Sequence, residues 1–366
     1  MKWEGSIIKK KSGERGLSIT KLAQQIGVSR QAVNDWIKGQ VPKGLYLIAL
    51  CDILDISPDD LFMKGEDVAI QMPVYRTRRK AKIKPEHEVQ LAELANEYKN
   101  LFRDKSASTI HPILKISNRS LETAKTIADK LRKTAEISSD KPMDYEEVFR
   151  LLENLDIHVI FRDFPVSRLY AFYTKIFEHR VVFVDLKTNV LDLIFPLLHE
   201  SVHAIRNDSK KLFVDDEEEK FCDIVASYTQ FPETYIEQIY EMIVGLNPPN
   251  QINILKQFSQ TNHHAICGII KRIKDNHSEF DLSYGGADTN LKKNFPKIEE
   301  VLHKTDNVRQ FLQNYQKLSP IFFDILLDKV ENLTHRKLGE IFSMESYLDM
   351  VSIKDEMLQM QKLRTK

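Results

Sequence analysis

The chain has 366 residues, 42% hydrophobic and 29% charged, a globular composition that excludes a disordered or membrane pattern and leaves room for two or three domains, each with a core. Lys plus Arg and Asp plus Glu are equal at 53 each, so nucleic-acid binding has to come from local clustering of charge and not from the total. The three cysteines, Cys51, Cys222 and Cys267, are far apart and form no CxxC pair, which argues against a disulfide framework or a cysteine zinc site. The opening MKWEGSIIKKK lacks a signal-peptide core, and no apolar run approaches the ~18 residues of a membrane span, so a cytoplasmic protein without membrane contact is expected.

Residues 1–68 read as a compact helical domain closed by the Ser-Pro-Asp-Asp helix start at Ser57 to Asp60. Within it, LSITKLAQQIGVSRQAVNDWIKGQVPKG has the chemistry of two crossed helices. Ala23 permits close approach, Gly27 tolerates the positive φ of the turn, and Ser29 can N-cap the second helix. That helix is predicted from Arg30 to Lys38, with Trp36 and Ile37 turned to the core. Ser29, Arg30, Gln31, Asn34 and Lys38 are the candidate DNA contacts, because their side chains hydrogen-bond base edges or phosphates. The pattern, with its Trp-x-x-Gly ending at Trp36 to Gly39, resembles the phage-repressor-like, XRE-type helix-turn-helix family. That resemblance implies a double-stranded DNA operator as partner, with homodimerisation left open.

Residues 69–118 follow as a basic linker and connecting helix. Arg76 to Lys84 carries six basic and no acidic residues between Pro73 and Pro85, and Val89, Leu91, Leu94, Ala95 and Tyr98 then fall at helical spacing. Farther on, Ile157 to Phe161 and Val181 to Val184 are β-branched and aromatic runs suited to a small sheet. From Ile252 the helical period resumes and runs to Leu363, with SYGGADTN at Ser283 to Asn290 as the expected break. Residues 276–366 are expected to be a helical C-terminal extension, structural or oligomerising, with a ligand-sensing role left open.

The segment LIFPLLHESVHAI contains His199-Glu200-Ser201-Val202-His203. On a helix, residues four apart share a face, so His199 and His203 can reach one ion while Glu200 acts as general base toward water. Pro196 then has to lie in the helix's first turn, where proline is tolerated. A third ligand is sought in the acidic run from Asp215. Glu219 is the choice, Glu218 the fallback, and Asp223, one turn after Glu219, is placed to hold a ligand histidine through its second ring nitrogen.

Taken together, His199-Glu200-x-x-His203, Glu219-x-x-x-Asp223-x-x-Ala226 and Pro232 resemble the ImmA/IrrE family of metallopeptidases over roughly residues 120–275. The departures are Val202, where the family usually has a small residue, Cys222-Asp223 in place of its Ala-Asn pair, and Phe231-Pro232 in place of Met-Pro. The resemblance implies a mostly α, multi-domain chain, in which an α+β, zincin-like domain with a small sheet spans residues 119–275 between the helix-turn-helix bundle and the C-terminal helices. It further implies a zinc-dependent endopeptidase, with manganese as the alternative ion, that hydrolyses a peptide bond in a protein partner. The implied substrate is a helix-turn-helix repressor controlling stress-response or mobile-element genes. Two other readings fit the same residues: a regulator that uses this fold as a sensor without proteolysis, and a toxin or phage-defence component.

Overall fold

The computed structural model describes residues 3, 5–42, 44–56, 61, 74–77, 85–103, 118–166, 169–206, 216–305 and 307–364. The chain divides into two compact units, Met1–Ala69 and Ile70–Lys366.

The first unit contains α1 (Ser6–Glu14), α2 (Ile19–Ile26), α3 (Arg30–Ile37) and α4 (Gly44–Leu54). Its core joins Ile8, Leu22, Ala23, Val33, Trp36, Leu50 and Leu54. The turn between α2 and α3 follows from its residues. Gly27 adopts φ +79°, the Gly27 amide bonds to the Gln24 carbonyl at 3.2 Å and the Val28 amide to the Ala23 carbonyl at 3.0 Å. This is the Schellman closure that only a residue without Cβ accepts cheaply. Ser29 then starts α3 by accepting the Ala32 amide at 3.1 Å. The helix start expected at Ser57 to Asp60 lies outside the described residues. The sequence did not single out Gly5, whose backbone presses on the end of α3, beside the 2.6 Å bond from the Trp3 indole to the Trp36 carbonyl.

In the second unit, β1 (Val74–Thr77), β2 (Ile157–Arg162), β3 (Leu169–Ile176) and β4 (His179–Asp185) form one sheet in the order β1-β3-β4-β2. β3 pairs antiparallel with β1 and, through a two-residue turn at Phe177 and Glu178, with β4; β2 runs parallel to β4. Nearly every residue of β2, β3 and β4 is buried, so both faces are covered by helices and the strands lack the polar alternation of a half-exposed sheet. Part of the predicted basic arm, Arg76 and Thr77, is in fact the end of edge strand β1; residues 78–84 lie outside the description.

The helices of this unit begin with α5 (Pro85–Asn96), α6 (Lys99–Phe102), α7 (Leu121–Thr134) and α8 (Tyr145–Asn154). After the sheet come α9 (Val190–Arg206), α10 (Asp216–Gln230), α11 (Glu233–Ile243), α12 (Pro248–Asn262) and α13 (Ile266–Asn276). The chain ends with α14 (Gly285–Lys292), α15 (Ile298–Leu302), α16 (Val308–Leu318), α17 (Pro320–Lys329), α18 (His335–Phe342) and α19 (Tyr347–Arg364). Leu91 and Tyr98 at the front, and Phe322, Phe342 and Met357 at the back, share one hydrophobic cluster with Val159 and Phe183 of the sheet. Neither the connecting helix nor the C-terminal region therefore has a core of its own. Ser319 Oγ donates to the Val159 carbonyl at 2.6 Å, stitching α17 to β2.

Two local expectations are corrected. The glycine-rich segment does not break the chain at Asn290, because α14 runs through Gly285-Gly286-Ala287-Asp288. It is held by Lys292, whose ammonium meets Asp288 one turn away and Asp192 on α9, each at 2.6 Å. These ion pairs offset the poor helix propensity of two glycines. Pro196 is also not in a first turn: α9 starts at Val190, so the proline sits inside the helix and removes the hydrogen bond to the Asp192 carbonyl. No described helix is long and apolar enough to cross a membrane.

Two outcomes are expected. A Cβ at Gly5 would lie 2.1 Å from the Trp36 carbonyl oxygen, so Gly5→Ala should destabilise the first unit by about 1–3 kcal/mol. Tryptophan fluorescence during thermal unfolding reads this unit alone, because both tryptophans, Trp3 and Trp36, belong to it. In the second unit, burial pushes the His158 and His264 imidazoles down to about 3. The unfolded chain, with histidines near 6.5, takes up protons first as pH falls. Stability should then decline between about pH 6.5 and 3, by up to about 1.4 kcal/mol per pH unit for each histidine, measurable by urea unfolding at stepped pH.

Candidate metal centre and helix-turn-helix surface

α9 packs along α10 and is buried almost throughout. Its four-residue period turns His199 and His203 to the same side, with their Nε2 atoms 3.0 Å apart. The α10 carboxylate that meets them is Glu219: one oxygen lies 3.2 Å from His199 Nε2 and the other 3.1 Å from His203 Nε2. His199, His203 and Glu219 form a group able to hold a metal ion. One turn farther along α10, Asp223 Oδ1 lies 2.9 Å from His199 Nδ1. This contact orients the ring, with Nδ1 turned to Asp223 and Nε2 to the shared centre.

Burial sets the electrostatics. His199 and Glu200 are fully buried, whereas the Glu219 side chain is 39% exposed. The centre is therefore closed on the α9 side and open at Glu219. Burial alone would raise the Glu219 carboxyl, but hydrogen bonds from His199 and His203, with their charge, hold it well below the usual carboxylate range. A carboxylate kept ionised against two imidazoles is a donor set suited to a divalent cation of the zinc type.

The neighbouring glutamates have other fates. Glu217 is largely exposed and reaches Arg119 at 3.4 Å. Glu218 is clamped between Arg206 at 2.6 Å and Arg119 at 2.9 Å. A second group, His203, Glu218 and Cys222, also has metal-ligand geometry. Two guanidiniums already neutralise its carboxylate, and burial raises the Cys222 thiol well above its ordinary range. Cys222 Sγ lies 3.8 Å from His203 Nδ1, so the second histidine rests on a thiol where the first rests on a carboxylate. Motif spacing did not single out Arg119, Arg206 or Cys222 as participants. Only Cys222 had a signal, lying one helical turn after Glu218.

On the first unit, Ser29, Arg30, Gln31 and Lys38 are exposed along α3 and Asn34 is half-buried. Gln31 Nε2 donates to Asp35 Oδ1 at 2.8 Å, which engages one of the candidate contacts and places a carboxylate beside it.

Residues 8–61 match the helix-turn-helix family, and the first unit is a helix-turn-helix domain. No curated protein matches the chain. One solved structure, the crystal structure of ComR from Streptococcus suis, is similar across 98% of this chain and 94% of its own. The identity is 8% and the TM-score 0.15, a likeness that carries no argument about fold or function.

Because Asp223 contacts His199 from behind, Asp223→Ala should weaken the binding of added zinc by about 10–100-fold while leaving His199, His203 and Glu219 in place. Competition with a chromogenic chelator measures the change, and unaltered affinity would show that His199 needs no such support.

Proposed function

We propose that the chain is a DNA-binding, metal-dependent regulatory endopeptidase that cuts a protein partner, with a helix-turn-helix repressor as its substrate class. The observation that carries this reading is the convergence of His199 Nε2, His203 Nε2 and a Glu219 carboxylate within 3.0–3.2 Å of one another. Its support from the sequence is the ImmA/IrrE resemblance; its support from the first unit is the helix-turn-helix match at residues 8–61.

His199, His203 and Glu219 would hold zinc, with manganese as the alternative, and such an ion supplies Lewis acidity to a peptide carbonyl and acidifies water. The protein's own groups do the rest. Asp223 keeps the His199 ring in its liganding orientation. Glu200, next to His199 and wholly shielded from bulk solvent, accepts a proton from the attacking water and passes it to the departing amine nitrogen. The half-exposed Glu219 edge is the side from which an extended peptide can approach. Arg30, Gln31, Asn34 and Lys38, with Ser29 at the helix start, supply the operator contacts that bring the peptidase to a repressor seated on DNA.

The test joins elemental analysis to a cleavage assay. Wild type should carry about one zinc per chain, lost in His199→Ala and in Glu219→Ala. With zinc or manganese, it should cut a purified helix-turn-helix repressor encoded beside its gene, whereas Glu200→Gln should retain metal and cut nothing. Metal binding without cleavage under any condition sinks the peptidase reading in favour of a metal-sensing regulator. Absence of metal after reloading sinks both.

A further inference from the structure

A concave site apart from the histidine centre lies in the second unit, between α8 and the C-terminal helices. The start of α8, the loop at residues 293–296, α15 and α16 enclose a cleft of about 590 Å³, within the range of small-molecule sites. Its apolar lining includes Tyr145, Phe295, Val301 and Leu318. Three lysines, Lys293, Lys304 and Lys317, face two glutamates, Glu146 and Glu300.

The disposition of these charges selects the ligand. Lys317 is already paired with Glu146 at 2.8 Å. Glu300 accepts the Lys297 backbone amide at 3.4 Å, at the start of α15. Lys293 reaches only the Asn290 amide oxygen at 3.3 Å, and Lys304 forms no ion pair among the described residues. The lining thus keeps one net positive charge beside an aromatic and aliphatic wall. Its complement is an organic molecule with a single negative charge and an apolar body.

The wall of this cleft is also the cap of the helix that carries His199 and His203. Asn189 Nδ2 donates to the Phe295 carbonyl at 2.8 Å and to the Lys292 carbonyl at 3.0 Å. Asn189 Oδ1 accepts the Leu191 amide at 3.1 Å, and the Val190 amide donates to the Pro296 carbonyl at 3.1 Å. The loop that lines the cleft thus accepts the first amide of α9, and it anchors Asn189, whose own oxygens accept the Leu191 and Asp192 amides. His199 lies nine residues along the helix, about 14 Å away at 1.5 Å per residue. A ligand that tightens the loop has a direct mechanical route into α9.

We propose that this cleft is a binding site for a monoanionic, amphipathic organic molecule, and that its occupancy is transmitted to α9 through Asn189. The site and its link to α9 stand whether or not the centre at His199 hydrolyses peptides.

The test uses the full chain and two matched fluorescent probes, the monoanion 8-anilinonaphthalene-1-sulfonate and its uncharged analogue N-phenyl-1-naphthylamine. The sulfonate should saturate one site, and the neutral probe should bind at least tenfold more weakly. Lys293→Glu with Lys304→Glu should weaken the sulfonate about tenfold or more, with Lys304→Gln giving a smaller loss in the same direction. Met242→Glu with Val244→Glu, at exposed apolar positions outside the cleft lining, should change nothing. Sulfonate binding should slow amide hydrogen exchange at residues 190–195, and Asn189→Ala should abolish that slowing while the probe still binds. Equal affinity for the two probes, or indifference to the lysine changes, overturns the site; binding that leaves exchange at residues 190–195 unaltered overturns the link to α9.

Discussion

Desolvation of α9 is the constraint on which the second unit depends. Fourteen of its seventeen residues are buried, among them His199, Glu200 and His203. Taking polar and ionisable groups out of water is costly unless other groups receive them, so a helix of this kind demands a partner built to match. α10 is that partner. It presents Asp223 to the far nitrogen of His199, Cys222 to the far nitrogen of His203, and Glu219 to the near nitrogen of each. Two buried imidazoles are in this way each held at both ring nitrogens and turned to a common focus.

The acidic start of α10 shows how finely helical rotation sorts identical side chains. Glu217, Glu218 and Glu219 are consecutive, and each is turned about 100° from the last. The first is spread in solvent, the second is held by Arg119 and Arg206, and the third faces the histidines. Exchanging the second and third roles would put a doubly clamped carboxylate at the centre, with little charge left for a cation.

Local chemistry was legible in the sequence and long-range pairing was not. The turn at Gly27 and the cap at Ser29 follow from residue type alone, and the geometry observed at both is what their side chains allow. β2 and β4 were visible as β-branched runs. β3 was not, because Leu169 to Ile176 mixes Tyr, Thr and Lys into a strand buried on both faces, with no alternation to mark it. β1 was hidden in a basic stretch and owes its strand form to pairing with Tyr173, Phe172 and Ala171, nearly a hundred residues later. The spacing of His199, Glu200, His203, Glu219 and Asp223 was readable as one helical pattern meeting another. The guanidiniums around Glu218 were not, since Arg119 reaches it from outside both helices.

The hydrogen bond from Ser319 to Val159, small in itself, bears on how the chain can be divided. It marks a seam along which the C-terminal region after α13 completes the covering of the sheet, together with Phe322, Phe342 and Met357. A fragment ending after α13 would keep every residue of the histidine centre, yet it would bare the outer side of β2 and strip the loop that caps α9. The segment that carries the histidine centre therefore shares its core with the rest of a larger body, and the natural place to cut this protein is the junction near residue 69.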